Sequence, residues 1–235
     1  MTKLRTPSLG LAFLVLNLLS IQAVLAHYRF DTLITPDLPT GSKSVIRQPH
    51  SWNPMLDSTS KNMTCNFHSG LAPEIAVIKA GSDISFKLDN EIFHPGPGAL
   101  YLGAVPEGES AGTWDGSGAR WVKIKDWGVR EYTPTFWYFE LTRTWQVNAT
   151  IPAAVPSGEY LLRAEHIGLI DPGKPQFYVS CAQVKIVDGG EGKLGPFVEI
   201  PGHFLPTDPG LQLNLLQHDL GMGPYRVPGP DPWEG

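Results

Sequence analysis

Cysteine is scarce in this chain: Cys65 and Cys181 are its only two. Positive charge is scarce too. Acids outnumber Lys and Arg by 23 to 18, and no basic cluster forms, which makes nucleic acid a poor partner. No long amphipathic helical pattern runs through the sequence. After the first 26 residues no apolar stretch could cross a bilayer. Residues 230–235 carry no hydrophobic tail of the kind that signals a lipid anchor, so no membrane attachment is expected. A Gly-x-Ser-x-Gly elbow is missing. Asp83, Asp89, Glu91, Glu159 and Glu165 show no spacing that singles out an acid/base pair. Both absences speak against a hydrolase.

What is present begins with a leader. Lys3 and Arg5 precede an uncharged apolar run from about Leu9 to Leu25, which ends Val24-Leu25-Ala26. A basic start, an apolar middle and small residues before the cut describe a secretory signal peptide, residues 1–26. Export to the extracellular space is expected, leaving a single domain over 27–235 that starts His27-Tyr28-Arg29-Phe30. Cleavage removes Lys3 and Arg5 and no acid, so the net charge goes from −5 to −7. In an exported protein a Cys65–Cys181 disulfide is the default reading. Asn62-Met63-Thr64 and Asn148-Ala149-Thr150 match the N-glycosylation acceptor pattern, a short and often unused signal.

The whole chain is dense in glycine and proline, with 25 and 22 residues, and the periodicity after the leader is that of strands. Ile84, Phe86 and Leu88 alternate with polar residues, and Trp145, Val147, Ala149 and Ile151 recur at every second position. Residues 160–165 and 177–187 also read as strands. Short strands between Gly/Pro turns predict an all-β, immunoglobulin/fibronectin-like antiparallel β-sandwich with long connecting loops. Between Pro106 and Pro134 the pattern weakens into Gly-rich loops around Trp114, Trp121 and Trp127. From Gly189 onward the chain reads as loop. Phe197, Val198, Ile200, Leu211, Leu213, Leu215 and Leu216 nevertheless need burial, which predicts a tail wrapped over the same core.

Histidines carry the candidate chemistry. A chain starting at His27 offers its α-amine and its ring Nδ1 to one metal. The amine, with a pKa near ~8, gives up its proton at modest cost. A second imidazole would complete a planar three-nitrogen set, which suits Cu(II). Any signal cut must precede some residue, so the terminal histidine alone does not decide the matter. His94 lies in the restricted loop Phe93-His94-Pro95-Gly96-Pro97-Gly98, where a ligand would be held with little freedom. On spacing alone it is equally an ordinary surface-loop histidine. Gln176 and Tyr178 share one face of a predicted strand. They could serve a copper site as a hydrogen-bonding amide and an axial phenol, or be a plain core pair.

Taken together, His27-Tyr28, the Phe93-to-Pro97 loop, Gly158-Glu159-Tyr160-Leu161-Leu162-Arg163-Ala164-Glu165 and Gln176-Phe177-Tyr178-Val179-Ser180-Cys181-Ala182-Gln183 resemble the fungal lytic polysaccharide monooxygenases of auxiliary activity family 9. Pro201-Gly202-His203-Phe204, Asp208-Pro209-Gly210 and Tyr225-Arg226-Val227-Pro228-Gly229-Pro230 continue the resemblance in the family's order. The resemblance implies a β-sandwich with one copper per chain on a flat face. His27 would bind through amine and Nδ1, His94 through Nε2, and Tyr178 would be the buried axial tyrosine with Gln176 beside it. Cys65–Cys181 would match a common disulfide. Tyr225, and with less support Tyr28, would meet the substrate. Cellulose or hemicellulose is the implied polymer, with a small-molecule or protein electron donor as partner and a monomer as the working form.

One departure stands out. Where the family usually reads Ile-Ala-Leu-His, this chain reads Ile167-Gly168-Leu169-Ile170. Ile170 cannot make the hydrogen bond of that histidine, and His166 takes no assigned role. The resemblance implies an oxidoreductase that breaks glycosidic bonds using O2 or H2O2. The departure leaves a copper-binding protein of the same fold with weak or no activity as the alternative, and a metal-free carbohydrate-binding module as a third reading.

Overall fold

The computed structural model describes residues 27–66, 70–133, 136–215 and 224–235. The expected signal peptide, residues 1–26, and His68, Leu216 and His218 lie outside the described residues. The strands are β1 (Phe30–Thr35), β2 (Leu38–Ser42), β3 (Ile46–Arg47), β4 (Ala76–Lys79), β5 (Asp83–Leu88), β6 (Gly98–Ala104) and β7 (Ala119–Trp127). They continue as β8 (Val129–Tyr132), β9 (Trp137–Phe139), β10 (Gln146–Thr150), β11 (Gly158–Gly168), β12 (Gln176–Val187) and β13 (Val198–Glu199).

Two sheets form the sandwich that the alternation predicted. One runs β10-β5-β1-β2 and the other β13-β7-β6-β11-β12-β3. Pairing is antiparallel save at one place, where β4 joins β12 in parallel, Ala76 opposite Val184. Phe30, Leu33, Phe86 and Leu88 from the smaller sheet meet Leu100, Leu102, Leu162, Val184 and Ile186 from the larger in one core. The Tyr160 hydroxyl donates to the Pro156 carbonyl at 2.9 Å, a corner tie found in sandwich folds.

β11 and β12 are buried on both faces, which sets where the tail goes. Their outward residues Leu161, Phe177, Val179 and Cys181 belong to a second core, with Met63, Trp114, Trp121 and Phe139. Much of the tail covers this second core, with Ile200, Phe204, Leu211, Leu213 and Leu215 all buried in it, while Leu194 and Trp233 pack on the first. Phe197 stays 46% exposed, contrary to expectation. The same double burial explains β7, a nine-residue strand where the sequence pattern predicts loop. Val122 and Ile124 face the first core while Trp121 faces the second, and alternation disappears when both faces are dry. Lys123 lies buried among them, its ammonium donating to the Pro228 carbonyl at 2.9 Å. A disulfide joins Cys65 to Cys181 across 116 residues, pinning the turn at Lys61–Met63 to β12.

Candidate metal centre

The site lies at one end of the sandwich, where the chain entering β1 meets the loop between β5 and β6. His27 is partly exposed and Tyr28 is buried. Successive extended residues point to opposite sides, so the pair divides, one ring toward the surface and one inward. His94 comes from the β5–β6 loop, whose course is fixed by its backbone. The Pro95 carbonyl accepts from Leu169 N–H and the Pro97 carbonyl from Ile167 N–H, both at 2.9 Å. Between them Gly96 has φ +156°, and a Cβ there would lie 1.8 Å from the Ile167 carbonyl oxygen. Only glycine lets the loop approach β11 this closely.

The rings of His27 and His94 stand with centroids 6.0 Å apart. Tyr178 lies beneath both, 6.2 Å from His27 and 6.1 Å from His94. Its hydroxyl donates to Gln176 Oε1 at 2.9 Å. Tyr28 stacks on Tyr178 with centroids 4.1 Å apart and planes 24° from parallel. The Tyr28 hydroxyl and His166 Nδ1 share a hydrogen bond of 2.6 Å. His166 sits on β11 directly opposite Tyr178 on β12 and is fully buried.

The electrostatics keep His94, His166 and the two phenols neutral. Burial, then the neighbouring His27, pushes His94 down to about 4. Burial, then His94, takes His166 down to about 3. Burial raises the hydroxyls of Tyr178 and Tyr28 above the ordinary phenol value. A neutral imidazole is the form that binds a metal.

Both nitrogens of His94 are buried with no hydrogen-bond partner. A buried polar atom without a partner is costly, and a metal at that position would remove the cost for one of the two. Among the described residues no three His, Cys, Asp or Glu side chains converge. For a metal held between His27 and His94 a third nitrogen would have to come from the backbone, and His27 is where a freed amine would stand. The residues present fit copper.

Several contacts were not foreseen. Asn90 Nδ2 donates to the His27 carbonyl at 3.3 Å. Asp89 takes the Arg29 backbone N–H and its Nε, both at 2.8 Å, and Trp52 Nε1 at 2.8 Å. The Arg29 guanidinium lies 4.0 Å over the Trp52 ring. Phe93, 43% exposed, carries the Arg143 guanidinium 4.3 Å over its ring. One loop thus holds residues 27 and 29 through residues 89 and 90 and supplies His94.

Tyr28 requires a correction. It is 1% exposed and turned into the core, where no polymer can reach it. Tyr225 keeps part of its surface, while its hydroxyl donates to the Gly210 carbonyl at 3.0 Å and its ring packs edge-on against Phe139. Ile170 is 41% exposed. Asn148 is exposed on β10, an edge strand, whereas Asn62 is half-buried in the turn before Cys65. His203 is buried against Glu165, at 3.3 Å, and is remote from this chemistry.

A β-sandwich that brings the rings of His27 and His94 together over a buried tyrosine has the fold and donor set of the copper-dependent polysaccharide-oxidising class. The chain belongs to Auxiliary Activity family 9 (formerly GH61), whose sequence model matches residues 27–223. It is 39% identical over 220 residues to AA9 family lytic polysaccharide monooxygenase H of Malbranchea cinnamomea, covering 91% of this chain and 94% of that one. It is also 39% identical over 219 residues to monooxygenase E of Podospora anserina, covering 90% and 70%. Among solved structures it superposes on HiLPMO9B with a TM-score of 0.79 at 25% identity, covering 89% of this chain and all 100% of that one. A cellulose-active polysaccharide monooxygenase from M. thermophila gives 0.78 at 26% identity, with the same coverage. The protein is thus an oxidoreductase of the copper-dependent lytic polysaccharide monooxygenase family.

Proposed function

We propose that residues 27–235 act as one secreted, monomeric domain that oxidatively cleaves cellulose or a hemicellulose, with a single copper held by His27 and His94. The observation that carries this reading is His94: a buried ring with two unpaired nitrogens, facing the ring of His27. In the proposed site His27 contributes its α-amine and Nδ1 once the leader is cut after Ala26, and His94 contributes Nε2. Copper, when bound, supplies one-electron exchange with a small-molecule or protein donor and activates O2 or H2O2 for attack on a glycosidic C–H.

The chain's own residues set the conditions. Asn90 and the Asp89–Arg29 pair hold the chain start to the loop that bears His94. Tyr178 closes the buried side, and its hydroxyl, tied to Gln176, is kept off the exposed side. Water is excluded from below by Tyr28, Tyr178 and His166, all nearly fully buried. Tyr225 is the substrate-face aromatic in this reading, and its partly exposed ring suits the apolar face of a sugar. Ile170 leaves the face without the hydrogen bond of the family's usual histidine. Asn148, exposed on an edge strand, and Asn62 are the proposed glycan acceptors. Nucleic acid and membrane are not partners in this reading.

The test is an ascorbate-driven assay on cellulose, xylan and glucan, with products read by mass spectrometry. Oxidised oligosaccharides are expected from cellulose or xylan. Their absence on every polymer, with copper confirmed bound by calorimetry, would leave a copper-binding protein without this activity.

A further inference from the structure

The chain between β7 and β10 leaves the metal centre and returns to it. Trp127, the last residue of β7, pairs with Gly98 at the far end of the His94 loop. On the way back the Arg143 N–H donates to the Ile92 carbonyl at 2.7 Å, and the Ile92 N–H to the Thr144 carbonyl at 2.9 Å. The β8–β9 hairpin between these points is therefore rooted at both ends on the loop that supplies His94.

One face of the hairpin is covered. Trp137 and Phe139 are buried, and the Tyr225 ring lies edge-on to both, with centroids 6.1 Å and 5.2 Å away. Val129 stands opposite Phe139 and belongs to this face. Strict alternation would then turn Glu131 to the same side and Tyr132 to the other. A bulge between Val129 and Glu131 shifts the register instead, so that Tyr132 stands opposite Trp137 and Glu131 opposite Tyr138. An extra residue in one strand re-aims the side chains that follow it, and here it delivers Tyr132 to the side of Tyr225. The Tyr132 hydroxyl accepts from the Tyr225 backbone N–H at 2.8 Å. Its ring meets Trp137 edge to face, with centroids 4.7 Å apart and planes at 73°. Unlike Trp137 and Phe139, which share its face, Tyr132 is 49% exposed.

We propose that Tyr132 is a second polysaccharide-contacting ring, which extends the polymer-binding surface beyond Tyr225. This rests on the reading that Tyr225 faces the polymer. A phenol offers a flat apolar face and a polar rim, which matches a sugar ring with C–H faces and hydroxyl edges. Tyr132 is held by an edge contact and a backbone N–H, so stacking on it costs little ordering. Arg130 and Glu131 beside it are exposed and charged. They can bond the hydroxyls of a sugar, whereas a lipid tail or an apolar protein patch would strip them of water without return. A chain seated on Tyr225 has Tyr132 as its exposed aromatic neighbour, joined to it through one hydrogen bond. Tyr138 is also exposed, but its register places it on the opposite face of the hairpin, outside this surface.

The experiment measures depletion isotherms of copper-loaded protein starting at His27 on microcrystalline cellulose and on insoluble xylan, without reductant so that no bond is cleaved. Tyr132→Ala is expected to bind the polymer that wild type holds roughly 3–10-fold more weakly, the effect of one aromatic contact. Tyr132→Phe keeps the ring, loses the hydroxyl tie to Tyr225 and should bind close to wild type. Tyr138→Ala should bind as wild type does. Copper affinity by calorimetry and melting temperature should stay the same in every variant. Undiminished binding in Tyr132→Ala, with wild type holding the polymer, overturns the inference alone. An equal loss in Tyr132→Phe or in Tyr138→Ala also overturns it, because the hairpin would then support the fold rather than touch the sugar. Wild-type protein that binds copper but neither polymer overturns the polysaccharide reading of the face, and the inference with it.

Discussion

Glu165 and His166 are neighbours on β11 and face opposite ways, and the two regions that they enter handle buried polarity differently. On the outer face Glu165 accepts from Arg163 Nη2 at 2.6 Å and meets His203 at 3.3 Å. Arg163 also donates to the carbonyls of Met63 and Thr64. Every charge there has an opposite charge or a carbonyl beside it. Burial alone would raise the Glu165 carboxyl, but Arg163 and His203 outweigh it and hold it down at about 2. On the inner side, toward the metal centre, the groups are uncharged rings, and His94 is left with unpaired nitrogens. The first arrangement locks a turn to a sheet. The second is incomplete without another group. Single unpaired atoms remain on the outer face as well, at Arg163 Nη1 and His203 Nδ1, but those side chains are held by their other nitrogens, whereas His94 has neither ring nitrogen bonded.

The comparison breaks if altering one region disturbs the other. The largest effect is expected from a protein carrying one extra residue before His27. Its copper affinity should fall well beyond the roughly 10–100-fold typical of losing a supporting contact, with melting temperature in the metal-free form unchanged. Calorimetric titration checks this, and equal affinity would rule out the amine as a ligand. Next comes the double change Cys65→Ser/Cys181→Ser. Opening a loop of 116 residues should cost about 5 kcal/mol of unfolding free energy by chemical denaturation, while copper affinity holds. Glu165→Gln should follow at about 3 kcal/mol, because Arg163 is left buried without its counter-charge. That contribution depends on pH in one direction. The folded-state value of Glu165 is depressed from 4.5 to about 2, so its stabilisation is complete above pH 4.5 and fades as pH falls toward 2. Melting curves of wild type and variant should converge over that range.

The sandwich could be read in the sequence because several strands keep one wet face; β5 alternates Ile84, Phe86 and Leu88 with polar residues. β7 could not, because both its faces are dry and Lys123 is buried by a carbonyl bond to Pro228 that no local pattern announces. The tail's need for burial was visible, but its address was not, since the second core exists only after β11 and β12 are paired. At the site, the histidine-bearing Gly/Pro loop was legible and so were Tyr178 and Gln176. Tyr28 lies next to His27 in sequence but not on the same face, because successive residues of an extended chain point to opposite sides. The partnership of Tyr28 with His166 joins residues 138 apart and left no trace in spacing.

The smallest predicted effect is the sharpest test of the division. Asn90 spans 63 residues to reach the His27 carbonyl, with a 3.3 Å bond at the margin of the metal centre. Asn90→Ala removes a contact that orients the chain start but touches no proposed ligand nitrogen. A hydrogen bond of this kind contributes about 1 kcal/mol, so copper affinity should weaken severalfold. The melting temperature of the metal-free protein should stay near that of wild type, because the loop keeps its own anchors at Ile92 to Thr144 and at Asp89 to Arg29. If Asn90→Ala instead destabilised the fold as Glu165→Gln is expected to, leaving copper affinity untouched, the chain start would belong to the structural region. The loop would then serve the sandwich rather than the metal.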